Sequence, residues 1–167
     1  EKYAVKGNKN RFKLPKPIIS RGGCNLSFAG LKTAILRIQS EIKTKQDKFD
    51  LAASFQKTIE GILHEKTKRA FEIYLSKNKS LKKTFVVAGG VAANQGIKKT
   101  LVNLSNKNKF ECLFPDINLC SDNAAMIALV GLEKFKKKLF NELDFKVNPR
   151  WQLDEKAQFL KGAGVKI

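Results

Sequence analysis

The chain has 167 residues, of which 43% are hydrophobic and 29% charged, ordinary globular usage that excludes wholesale disorder. Basic residues number 33 against 15 acidic, a net charge of +18 that points to a polyanionic partner, nucleic acid being the commonest. No run approaches the roughly 18 consecutive apolar residues of a membrane span, and residues 1–13 are polar and basic, unlike a secretory leader.

The charge has two readings. Lys dominates, with Arg only at Arg11, Arg21, Arg37, Arg69 and Arg150, and Asn is frequent, as at Asn103, Asn106 and Asn108. Lys and Asn rise together in A+T-rich coding sequence, whereas Arg is the better residue for bidentate readout of phosphates and bases. An RNA footprint and compositional drift both stay open. No helix-turn-helix, zinc-finger or aromatic ribonucleoprotein pattern is present. The first residue is Glu rather than Met, as in a fragment of a longer chain.

Residues 1–25 read as a basic, loop-rich segment punctuated by Pro15, Pro17, Gly22 and Gly23. From Ser27, a plausible N-cap, Phe28, Leu31, Ile35, Ile38 and Ile42 recur at helical spacing. A second, long helix is expected from near Asp47 or Asp50 to around Lys77–Ser80, with an inward stripe of Phe55, Ile59, Ile62, Leu63, Ala70 and Ile73. These two helices make a helical subdomain over residues 26–80. The remainder, 81–167, reads as an α/β lobe with an irregular tail.

In that lobe, residues 84–88 form a short β-branched and aromatic run before Gly89 and Gly90, as in a buried strand. Ile97, Leu101 and Leu104 mark a helix, residues 110–114 a second strand stopped by Pro115, and residues 122–138 a final helix. That helix is expected to turn Met126, Leu129, Val130, Leu132 and Phe135 inward. Strands alternating with helices predict an α/β layer with parallel strands. Two strands make a meagre sheet, so the rest of it is expected elsewhere.

The three cysteines, Cys24, Cys112 and Cys120, are odd in number and widely spaced, which disfavours disulfides or a zinc site and suits a reducing, cytoplasmic compartment. Cys112 and Cys120 are expected to be buried as small apolar residues. His64, the one histidine, is followed by Glu65 but has Lys68 where a second metal-binding His would stand, so a structural role is expected.

Two loops carry chemistry. Ala88-Gly89-Gly90-Val91-Ala92-Ala93-Asn94 follows the first strand. Its glycines permit close backbone approach of a ligand, and the next helix directs N–H groups to the same place. Asn94 is either a helix cap or a donor and acceptor for a ribose or base edge. After the second strand, Asp122 in Cys120-Ser121-Asp122-Asn123 is either an N-cap or a carboxylate at the sheet's C-terminal edge, able to hold a metal ion.

These two blocks resemble those of the universal tRNA N6-adenosine threonylcarbamoyltransferase family, once misnamed an O-sialoglycoprotein endopeptidase. Ser27-Phe28-Ala29-Gly30-Leu31-Lys32-Thr33-Ala34 and Pro149-Arg150-Trp151-Gln152-Leu153-Asp154 are similar to two further family segments, in the same order. The resemblance covers nearly the whole chain and roughly the C-terminal half of the family's length. It implies the C-terminal lobe of an actin-like ATPase fold, shared with sugar kinases and Hsp70. It implies transfer of threonylcarbamoyl from its adenylate onto N6 of the adenosine beside the tRNA anticodon, with partner proteins of the same pathway and no membrane.

By the same resemblance, Asn94 contacts the adenylate, Gly89 and Gly90 line its turn, Glu1 is the acidic residue contacting substrate, and Asp122 is one of three ligands to an iron or zinc ion. The family's other two ligands are histidines of a motif absent here, and its phosphate loop is also absent. The metal is therefore expected to be shared with a missing N-terminal half, and the isolated chain to be inactive. The competing readings are an inactive fragment, a non-catalytic basic RNA-binding module, and a sugar-kinase-like phosphotransferase.

Overall fold

The computed structural model describes residues 1–77 and 82–147. Its order is α1 (Ala29–Ile38), α2 (Lys45–Lys77), β1 (Thr84–Val86), α3 (Gln95–Lys107), β2 (Glu111–Leu113) and α4 (Ala124–Lys136), with short 3-10 turns at Ala4–Lys6, Gln39–Glu41, Gly90–Ala93 and Ile117–Leu119. Strands β1 and β2 pair in parallel, with Phe85 opposite Cys112 and Val86 opposite Leu113. Parallel strands joined through a helix make the described part α/β, as the alternation of sequence patterns predicts. Packing divides the chain into two units, Glu1–Ser121 and Asp122–Ile167.

The first unit is built on α2. Thr44 and Asp47 start this helix with a reciprocal capping box. Thr44 N–H donates to Asp47 Oδ2 at 2.7 Å, and Asp47 N–H donates to Thr44 Oγ1 at 3.1 Å. The buried side of α2 is not the expected apolar stripe. Of that stripe Ile62 alone is buried, while Phe55 and Ile73 are exposed. The buried set also includes Asp47, Asp50, Ser54, Thr58 and Lys66, at helical spacing on a polar face. Residues 1–25 explain it, because they lie along that face and satisfy its polar groups. Asn8 N–H donates to Asp50 Oδ1 at 2.8 Å, and Phe12 N–H to Ser54 Oγ at 3.2 Å. Further along, Lys66 Nζ donates to the carbonyls of Arg21 and Gly23. A buried lysine so bonded avoids the penalty of an unsatisfied charge.

The core lies where the far end of α2 meets α3 and the sheet. Phe71, Leu104 and Phe110 are buried together, flanked by Tyr74, Leu75 and Phe85. Phe71 stacks on Phe110 with ring centroids 4.0 Å apart and meets Phe85 edge-on at 5.1 Å. Ile97, Leu101 and Leu104 of α3 are buried, as their spacing predicts.

Four expectations need correction. Ser27 caps nothing: α1 starts after Phe28, which makes no side-chain cap bond. The strands are not buried on both faces, since Val86 is 62% and Leu113 44% exposed. Cys120 is buried as expected, but Cys112 is only half-buried, and Cys24 is exposed. In the second unit, α4 buries none of its residues. Met126, Leu129, Val130, Leu132 and Phe135, expected inward, are each between 49% and 67% exposed. An amphipathic pattern predicts which face seeks cover, not whether this chain supplies the cover. The block at 149–154 lies outside the described residues.

Candidate functional site

Three of the residues singled out from sequence, Gly89, Gly90 and Asn94, sit on the turn from β1 into α3. Gly89 has φ +90° and ψ 168°, a region essentially confined to glycine. Around the position its side chain would take there is nothing within 4 Å, and at Gly90 only the Cys120 carbonyl comes within 3.9 Å. The turn is therefore open backbone that a ligand can approach. It closes through Ala92 N–H to Gly89 O at 2.9 Å and Asn94 N–H to Val91 O at 3.1 Å.

Asn94 is half-buried and caps α3, its Oδ1 accepting from Ile97 N–H at 3.0 Å. The capping role that its position in the sequence allowed is thus present. Capping uses the oxygen alone. The Nδ2 amide has no hydrogen-bond partner among the described residues and remains available as a donor.

Glu1 reaches the same place. Its Oε1 accepts from Gln95 N–H, the first residue of α3, at 2.9 Å. A carboxylate there is favoured by the orphan N–H groups and the positive end of the helix dipole. The helix N-terminus, read from sequence as aimed at a ligand, is taken by two side chains of the chain itself. What remains for a ligand is the glycine turn, the Asn94 amide and the cavity beside them.

That cavity is open and of about 500 Å³. It is walled by Phe28, Phe55, Ile59, Leu63, Val91 and Ile97, with Glu1, Gln56 and Asn94 as its polar groups. The helix face expected to be core is here a cavity wall, which is why Phe55 keeps 38% of its surface. A mostly apolar cleft with a few convergent polar groups is the usual form of a small-molecule site, and its volume is in the customary range of roughly 300–1,000 Å³. Such a lining suits a planar base and ribose better than a bare phosphate.

Asp122 belongs to the second unit, where it is exposed and directly precedes the cap of α4. The cap itself is Asn123, whose Oδ1 accepts from Met126 N–H at 3.0 Å, so Asp122 is not the N-cap. Among the described residues no group of three His, Cys, Asp or Glu side chains could hold a metal ion. Asp122 supplies one carboxylate, and His64 is half-buried in α2. The described residues do not by themselves fit a metal centre, which takes about three protein ligands.

Two groups of residues were missed from sequence. The first is the anchoring network of Arg11 with Asp47 and Asp50, at 2.5 and 3.1 Å. The Asp47 carboxyl is lowered from its ordinary 3.8 to about 2, chiefly by the backbone N–H groups of Thr44 and Lys43 and by the Thr44 hydroxyl, with Arg11 adding to them. Asp50 is lowered too, foremost by Asn8 N–H. The signal was available: Asp47, Asp50, Ser54 and Thr58 recur at helical spacing. The second is the apolar cavity wall formed by Phe55, Ile59 and Leu63 of α2 with Phe28, where the α2 periodicity predicts core. Among the described residues, no helix is long and apolar enough to cross a membrane.

A family model described as tRNA N6-adenosine threonylcarbamoyltransferase matches residues 1–129. Curated relatives carry the same description. One from Pelagibacter ubique (strain HTCC1062) is 63% identical over all of this chain and 47% of its own length. One from Ruegeria sp. (strain TM1040) is 43% identical, covering 98% of this chain and 46% of its own. One from Rickettsia massiliae (strain Mtu5) is 44% identical over 93% of this chain and 46% of its own. The chain spans about half the length of the curated relatives it matches.

Proposed function

The chain belongs to the tRNA N6-adenosine threonylcarbamoyltransferase family, and on that premise we propose that it acts as the C-terminal half of such an enzyme, an actin-like ATPase lobe. The reaction is transfer of threonylcarbamoyl from its adenylate to N6 of the adenosine beside the tRNA anticodon. The N6 amine attacks the carbamoyl carbon, the bond from that carbon to the adenylate phosphate oxygen breaks, and AMP leaves with the electron pair. Nothing in this chain is assigned as the base that takes the N6 proton.

The observation that carries the reading is the convergence of Glu1, Asn94 and Val91, the residue that follows the open Gly89-Gly90 pair, on one apolar cavity. The apolar wall takes the adenine, the Asn94 amide donates to the nucleoside, and Glu1 positions the start of α3 while offering its second oxygen to a hydroxyl. Positioning does much of the work, because the donor is already activated. Asp122 is proposed as one ligand to a divalent iron or zinc ion, the others coming from the half of the family's length that this chain does not span. Partner proteins of the transfer complex complete the assembly.

The test is transfer to tRNA lacking the modification, by this chain alone and mixed with the unmatched half of the Pelagibacter ubique relative. Activity in the mixture is expected, with none in either piece. Full activity of the chain alone overturns the half-enzyme reading. Inactivity of a mixture of two folded halves points instead to a binding role.

A further inference from the structure

Building on that reading, in which tRNA is the substrate, the geometry points to a phosphate-binding groove for the RNA backbone on the strap of residues 9–16 where it crosses α2, a surface separate from the nucleoside cavity. The groove has a volume of about 310 Å³, and Lys9, Lys13, Lys16 and Lys57 line it with Phe12 and Thr58. All four lysines are exposed. None of the four pairs with a carboxylate among the described residues. Residues 1–25 hold seven basic residues and one acidic, Glu1, and Glu1 is engaged at α3.

The lysines are held in place. Upstream, Asn8 and Arg11 are tied to Asp50 and Asp47, and Phe12 to Ser54. Downstream, Lys66 and Arg69 bond the Arg21 carbonyl. Between the anchors, Pro15 and Pro17 fix two φ angles, and Pro17 packs against Gly30 of α1. Lys57 Nζ donates to Asn10 Oδ1, and Lys16 Nζ lies over Gly61 of α2. Glu60, one turn along α2 from Lys57, is bonded to Gln56.

Asp47 and Asp50 are thus paired with Arg11, Glu60 is held by Gln56 without an ion pair to any of the four lysines, and the lysines stand exposed on a pinned backbone. Compositional drift scatters lysines; it does not pin them around one groove. With Arg11, the one Arg of the strap, paired to Asp47 and Asp50, the ammonium groups suit a phosphate backbone, which positions a nucleic acid without reading its sequence. The groove therefore holds tRNA whatever the base sequence beneath it.

The experiment is fluorescence anisotropy of labelled, unmodified tRNA with the full chain across a salt series, for wild type and a variant carrying Lys9→Gln, Lys13→Gln, Lys16→Gln and Lys57→Gln. A charge-matched control carries Lys134→Gln, Lys136→Gln, Lys137→Gln and Lys138→Gln. Each phosphate contact contributes about 0.9 to the slope of log K against log salt in duplex, so the groove variant is expected to lose up to about 3.6 units of slope and the control much less. A second variant, Lys13→Glu with Lys16→Glu, changes loop residues only and keeps the test alive if the fourfold variant misfolds. Equal losses in groove variant and control overturn the proposal, as does an unchanged slope in the groove variant. Binding through these lysines to anionic phospholipid vesicles, with none to tRNA, overturns it in favour of a membrane surface. Transfer activity in the complemented mixture is read separately, so a failed groove leaves the transferase reading standing.

Discussion

Asn94 is asked to do two things, and a pair of substitutions separates them. Its Oδ1 accepts from Ile97 N–H at 3.0 Å, and Ile97 is 5% exposed, so truncation leaves a donor with little access to water. Asn94→Ala is expected to cost about 1 kcal/mol, the usual worth of an N-cap, or about 3 °C in Tm for a chain of this size. Asn94→Ser keeps a capping oxygen and is expected to stay within a few tenths of a kcal/mol of wild type, roughly equal as caps go. Neither variant keeps the amide donor. Losing one neutral hydrogen bond to the nucleoside weakens binding by about 1 kcal/mol, roughly fivefold in Kd. Urea unfolding reads the first quantity. Titration of a non-reactive threonylcarbamoyl-adenylate analogue into the complemented assembly reads the second. The Ser variant is therefore expected to be stable and to bind poorly. If it binds like wild type, Asn94 is a cap and no more. If the Ala variant loses no stability, the capping assignment fails.

Other consequences follow from the strap and the core. A Cβ at Gly7 would collide with the Phe49 backbone, so Gly7→Ala is expected to destabilise the chain by about 1–3 kcal/mol, the range for overpacking, with loss of protease protection in residues 1–25. Asp47 has a depressed folded-state pKa, about 2 against 3.8. Its contribution is complete above about pH 5 and fades as the pH falls toward 2; urea midpoints at pH 6, 4 and 2.5 should show a drop that Asp47→Asn flattens, and identical pH profiles would contradict the assignment. Phe71→Ala removes a buried ring that stacks on Phe110. It is expected to cost about 3–5 kcal/mol, and a loss below about 1 kcal/mol would mean this cluster is not the core.

The sequence was most legible where local pattern and burial coincide. Ile97, Leu101 and Leu104 form one apolar stripe and are buried as one. The strands pair in parallel because a helix lies between them in sequence, and that order is plain in the residue pattern. Helix α2 was misjudged because it has two usable faces. Its apolar face walls a cavity, and its polar face is buried by a basic strap whose contacts are more than 35 residues away in sequence. Periodicity gives the face; it cannot give the distant partner. The same holds for α4, whose apolar residues are patterned for cover that the described residues do not provide. At the site, Gly89 and Asn94 could be found by type and spacing. The contact between Glu1 and Gln95 spans 94 residues and had no local signal.

The most direct measurement is metal content by elemental analysis of the purified chain, of the unmatched half of the Pelagibacter ubique relative, and of their mixture, alongside a mixture carrying Asp122→Ala. If this chain holds one share of a divided site, it carries no stoichiometric iron or zinc when purified singly. The mixture acquires the metal together with transfer activity, and Asp122→Ala abolishes both. Stoichiometric metal in the chain without its other half, or undiminished metal and activity after Asp122→Ala, would contradict the divided site.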